Sequence, residues 1–121
     1  MSTLYESVGG MPFFESLVER FYAEVEHNAG LRALYPSDLT ASRDSLALFL
    51  AQYFGGPTTY SDVKGHPRLR MRHAHLPIDV AARDGWYDAM VSALDQVDLD
   101  SEARVVMRDY FDRSATWMIN V

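Results

Sequence analysis

The sequence predicts an all-α fold on three observations. Apolar residues recur at three- and four-residue intervals through four long segments, nothing alternates with the two-residue period of a half-buried strand, and glycine or proline separates the segments. Hydrophobic residues make up 48% of the chain and charged residues 23%, which excludes a disordered polymer. At 121 residues and 13.7 kDa, surface scaling gives roughly 6,600 Å² folded against roughly 20,000 Å² unfolded, enough burial for one core. A single domain over residues 1–121 is expected, without repeats or linkers.

Thr3 and Glu6 have capping-box spacing and Gly9-Gly10 supplies a stop, so residues 3–8 read as a short helix. Pro12 stands where the next helix begins. From there Phe14, Leu17, Val18, Phe21, Tyr22 and Val25 lay one apolar stripe along about four turns. Asn28-Ala29-Gly30 ends that helix, and residues 31–35 read as a short turn of helix stopped by Pro36. A helix from about Ala41 carries Leu46, Phe49, Leu50 and Tyr53 on one face and halts at Gly55-Gly56-Pro57. Residues 57–66 read as loop. Pro67 opens one or two helical turns over residues 68–73, closed before Pro77. Asp79 caps a helix to about Val97 with Trp86, Met90, Ala93, Leu94 and Val97 as its stripe. Asp100 or Ser101 caps the last helix, whose stripe is Ala103, Val106, Met107, Tyr110, Ser114, Trp117 and Met118.

Composition narrows the function. Lys plus Arg count 11 against 17 Asp plus Glu, a formal charge of −6, which points away from nucleic acid and anionic membranes as partners. There is no cysteine, so disulfides, thiolate nucleophiles, Cys-ligated zinc and covalent haem attachment through a C-x-x-C-H motif are excluded. No apolar run reaches the length of a bilayer span, and Met-Ser-Thr-Leu-Tyr-Glu lacks the layout of a signal peptide, so a cytoplasmic location is expected.

Against that acidic background Lys64, His66, Arg68, Arg70, Arg72 and His73 form a basic cluster, suited either to an anion or to a solvated face. Leu69 and His73 are four apart and share a helix face, which turns His73 inward. An inward imidazole could be a satisfied core residue, a general base or a ligand to iron or zinc. His75, two residues on, would point about 200° away on a helix, so it does not pair with His73. No Gly-x-Ser-x-Gly setting for a hydrolytic nucleophile occurs. Tyr22, Tyr35 and Trp86 bring polar donors into apolar surroundings, as core filler or as converging hydrogen-bond donors.

Phe21-Tyr22, Tyr35-Pro36, Tyr53-Phe54-Gly55-Gly56-Pro57, the run from Gly65 through His73, and Asp84-Gly85-Trp86 together resemble the truncated haemoglobins of group II, from Leu4 to the last helix. The resemblance implies a two-over-two helical sandwich around non-covalent haem b, iron protoporphyrin IX, with His73 as proximal iron ligand. Arg72 and Tyr60 would meet the haem propionates, and Leu69, Phe49, Leu50, Met90 and Met118 would form the apolar wall. Tyr22, Tyr35 and Trp86 would surround the distal ligand, with small Ser42 at the gate and Leu46 beside it. Oxygen gains negative charge on ferrous haem, so donors aimed at it slow its release. The acceptor orienting His73 is expected among the carbonyls of residues 69–70.

Three departures stand out. Ser45 occupies a position often held by an arginine that reaches a propionate, implying looser haem retention; Phe54 replaces a common tryptophan; and His75-Leu76 replaces a Pro-Phe pair, with His75 expected at the surface. The function implied is a bacterial haem protein binding oxygen, carbon monoxide or nitric oxide, including oxygen transport, kept reduced by a reductase and existing as a monomer or homodimer. Two alternatives compete with it. One is a redox enzyme at the same haem, for nitric-oxide dioxygenation or modest peroxidase-like turnover; the other is a haem-free helical binding or sensor module.

Overall fold

Eight helices and no strand make up the described residues, 2–121, of the computed structural model. They are α1 (Leu4–Ser7), α2 (Met11–Val25), α3 (Ala29–Arg32), α4 (Thr40–Tyr53), α5 (Thr59–Lys64), α6 (Leu69–Arg72), α7 (Val80–Asp95) and α8 (Ser101–Trp117). The four long helices are those expected. α2 packs on α4 and on α7, and α7 packs on α8, so two helix pairs meet through the α2–α7 contact. The surface of 6977 Å² is close to the roughly 6,600 Å² expected from mass. Among the described residues no helix is long and apolar enough to cross a membrane.

Local chemistry explains the element boundaries. The Thr3 hydroxyl accepts from the Glu6 amide at 3.2 Å, Asp79 from Ala82 at 2.8 Å, and Asp100 from Ala103 at 2.8 Å, each satisfying an orphan N–H of a first turn. All six residues of the α2 stripe are buried. Asn28 does more than end α2: its side chain accepts from the Leu31 amide at 3.1 Å and caps α3, which puts Gly30 inside a helix.

Residues 57–66, read as loop, contain α5. The tertiary setting overrides their weak helix propensity. Tyr60 is buried with its ring 5.5 Å from Phe49, and the Gln52 side chain accepts from the Ser61 amide and donates to its hydroxyl. The α8 stripe is also corrected. Ala103, Met107, Phe111 and Ala115 are its buried residues, a plain four-residue row packed toward α7, whereas Val106 and Trp117 are exposed.

Aromatic rings run through the core. Tyr5, Phe14 and Phe54 stack at 5.9 and 6.0 Å, Phe54 meets Phe111 at 6.5 Å, and Trp86 lies between Phe111 and Phe21 at 5.8 and 5.4 Å. Gly56 anchors the near end of this series: a Cβ there would stand 2.5 Å from the Tyr5 ring and 2.8 Å from the Ala51 carbonyl oxygen. Gly56→Ala is therefore expected to destabilise the fold by about 1–3 kcal/mol, the usual cost of overpacking. Urea unfolding monitored by helix content measures it.

Candidate functional site

A cavity of about 470 Å³ is bounded by residues from every helix between α2 and α8, within the range of small-molecule and cofactor pockets. α4 presents Ser42, Ser45, Leu46, Phe49 and Leu50 to it, residues that recur at three- and four-residue steps and so share a face. Tyr60 comes from α5, Leu69 and Arg72 from α6, and Met118 from just beyond α8. Met90, expected on this wall, is fully buried and does not line the cavity; it packs in the helical core.

His73 lines the cavity from the end of α6. Its Nδ1 lies 2.6 Å from the Leu69 carbonyl oxygen, within the stretch where an acceptor was expected. The carbonyl can only accept, so Nδ1 carries the proton and Nε2 keeps its lone pair. The turn that delivers His73 is abrupt: Arg68 adopts a left-handed conformation, φ 44°, between Pro67 and the first residue of α6. That conformation costs on the order of 1 kcal/mol for a residue with a Cβ. Among the described residues no three His, Cys, Asp or Glu side chains gather as a metal site. An imidazole with a free Nε2, outside any such cluster, suits a metal that brings its other ligands with it.

Tyr22, Tyr35 and Trp86 line the same cavity. Their rings are fixed by edge contacts: Tyr22 lies 5.0 Å from Phe21 and 5.5 Å from Tyr35, nearly perpendicular to both. Burial pushes the Tyr22 hydroxyl far above its ordinary value, and the neighbouring Tyr35 raises it further. Burial pushes Tyr35 up to about 12, against a pull in the other direction from the neighbouring Trp86 and Tyr22. None of these contacts has the length and angle of a full hydrogen bond, and no buried side-chain polar atom of the described residues is orphaned. Both phenols thus keep their protons at neutral pH and can donate to a guest.

Charge at the cavity has one sign. Lys64, Arg72 and Arg83 line it beside His75, and among the described residues no carboxylate does. Arg83 is neutralised in part by ion pairs with Asp84 and Asp112. Among the described residues Lys64 and Arg72 have no acidic partner, although two donors of Arg72 hold the Pro67 and Lys64 carbonyls, each at 2.7 Å. His75 is exposed, as expected, while still bordering the cavity.

The basic cluster divides. His66, Arg68 and Arg70 face a second, more open groove of about 590 Å³, which also includes Met71 and Trp117. Tyr110, Ser114 and Arg83 border the main cavity without having been assigned to it. The first two lie four apart, with Met118 four further, on the edge of the α8 stripe, which was the available signal. Apolar walls, unpaired cations and one presented imidazole suit a planar apolar group bearing anionic substituents and a metal.

Comparison with known proteins agrees with this geometry. The family model described as bacterial-like globin matches residues 3–120. The group 2 truncated hemoglobin YjbI of Bacillus subtilis is 37% identical over 116 residues, which cover 96% of this chain and 87% of that protein. The structure of the hemoglobin from Chloroflexus aurantiacus superposes with a TM-score of 0.97 at 47% identity, covering 100% of both chains. That of the truncated oxygen-avid haemoglobin from Bacillus subtilis gives 0.93 at 36% identity, covering 98% of this chain and 100% of the other.

Proposed function

Because this chain belongs to the bacterial-like globin family, as a group II truncated haemoglobin, we propose that it holds haem b non-covalently in the main cavity and binds oxygen reversibly there, with His73 as proximal iron ligand. Haem iron, when bound, supplies the coordination of small diatomic molecules. The oxygen-avid description of the Bacillus subtilis structure at 36% identity supports the choice of oxygen. The observation that carries the reading is the His73 ring, tied through Nδ1 to the Leu69 carbonyl at 2.6 Å and bordering a cavity that Tyr22, Tyr35 and Trp86 also line.

Each residue then has a task. His73 offers the Nε2 lone pair, with the Leu69 carbonyl setting its tautomer and ring orientation. Leu46, Phe49, Leu50, Leu69 and Met118 exclude water from the apolar faces of the cofactor. Lys64 and the remaining donors of Arg72 meet its carboxylates, and Ser45, too short for that work, leaves one clamp missing. Ser42 keeps the entrance from the α4 side small-walled. Trp86, Tyr22 and Tyr35 donate hydrogen bonds to the ligand. At about 1.5–3 kcal/mol each, two such bonds slow release by roughly two to four orders of magnitude. Reversible binding needs ferrous iron, so a reductase is part of this reading.

The test is optical. Protein loaded with iron protoporphyrin IX is expected to show a Soret band in the ferric, ferrous and carbon-monoxide forms, and a long-lived oxygen complex in stopped-flow mixing. Absence of a Soret band after loading would overturn the reading.

A further inference from the structure

α6 cannot place His73 by itself. It has four residues, no side-chain cap and no buried residue, and a single turn of helix is unstable alone. The restraint comes from the far end of the chain. The Asn120 side-chain amide donates to the Leu76 carbonyl at 2.9 Å and the His73 carbonyl at 3.4 Å, while its oxygen accepts from the Ile78 amide at 2.9 Å. The partners fix which way the amide points: carbonyls need its nitrogen and the Ile78 N–H needs its oxygen. The Asn120 and Val121 backbone amides both donate to the Ile78 carbonyl, at 2.9 and 3.3 Å. Arg70 ties the same tail from α6, donating to the Trp117 and Ile119 carbonyls at 3.1 and 3.3 Å, carbonyls that the end of α8 leaves without helical partners.

We propose that Asn120 is a positioning residue for His73: by spanning the turn between α6 and α7 it fixes the backbone from which the imidazole projects, with Arg70 holding the tail that presents it. All three partners of the amide lie within residues 73–78, the segment that links the imidazole to α7. No other side chain bonds the backbone of that segment among the described residues. The inference rests on the reading of His73 as the iron ligand.

The test uses the haem-loaded full chain. Asn120→Asp keeps the acceptor for Ile78 N–H but replaces both donors with an oxygen facing two carbonyls; Asn120→Ala removes all three bonds. Both variants are expected to lose haem to excess apomyoglobin at least tenfold faster than the parent. They should also shift or broaden the iron–histidine stretching band of the ferrous protein in resonance Raman spectra, with helix content retained. If Asn120→Ala is too unstable to load, Asn120→Asp carries the comparison. A parent-like band and haem loss within twofold of the parent would overturn the proposal while leaving His73 as ligand. A parent protein whose band survives in His73→Gly would overturn the ligand assignment and the proposal with it. The two failures are therefore distinct.

Discussion

His73→Gly is expected to lose haem at least 100-fold faster than the parent, and to regain a five-coordinate ferrous spectrum when imidazole is added to the buffer. The size follows from comparison with weaker perturbations. Removing an outer partner of a metal-bound histidine already costs about 10–100-fold in affinity, and here the ligand itself is deleted. Haem binding should weaken rather than vanish, because the apolar walls and the unpaired Lys64 and Arg72 remain. Rescue by free imidazole separates loss of a ligand from loss of fold, since glycine leaves room for the ring at the site it vacates. His66→Ala and His75→Ala serve as controls. His66 faces the second groove, where its Nδ1 accepts from the Arg68 amide at 3.3 Å, and His75 is exposed at the cavity edge. Transfer to apomyoglobin measures all three. Parent-like retention in His73→Gly, or collapse in His75→Ala, would move the iron ligand elsewhere.

That prediction draws on residues the sequence made readable unevenly. α2 was legible throughout: Pro12 marks its start, and its one stripe contacts both neighbouring long helices, so period and burial coincide. α8 was not, because it carries two apolar rows with different jobs. Ala103, Met107, Phe111 and Ala115 are buried, and the last two of them also line the cavity, while Tyr110, Ser114 and Met118 form a half-buried row at its border. A single helical period merges the two rows and pulls Val106 and Trp117 in with them. Tyr60 shows a different loss. Its helix exists because Phe49 and Gln52 receive it, contacts that no local pattern announces. The inward turn of His73 was readable from Leu69 four residues before it. Its tether, Asn120, lies 47 residues away from it and carries no periodic signal at all. Met90 has the right spacing and is buried in the right helix, yet faces core rather than cavity. Burial period identifies an inside face without saying whether that inside is protein or guest.

Distal donation should respond to substitution in a pattern that packing alone cannot imitate. Trp86→Phe keeps a six-membered ring between Phe21 and Phe111 and removes the indole N–H together with its five-membered ring, so oxygen release is expected to accelerate at least tenfold. One charge-assisted bond of about 1.5–3 kcal/mol corresponds to roughly 10- to 150-fold. Tyr22→Phe should have a smaller effect, because the Tyr35 hydroxyl adjoins both Tyr22 and Trp86 and can turn to the ligand in its place. Replacing Tyr22 and Tyr35 together with Phe removes that substitution of one donor for another, so the combined change should exceed the sum of the two single free-energy changes, as expected for a shared network. Carbon monoxide, which gains far less negative charge on binding, should show much smaller changes in every variant. The phenols remain neutral until far above neutral pH, with Tyr35 ionising only near about 12, so oxygen release should be flat across the neutral range. Stopped-flow displacement of oxygen measures each rate. An unchanged rate in Trp86→Phe would reduce the indole to a packing role between its two phenylalanines and leave the slow release to Tyr22 and Tyr35.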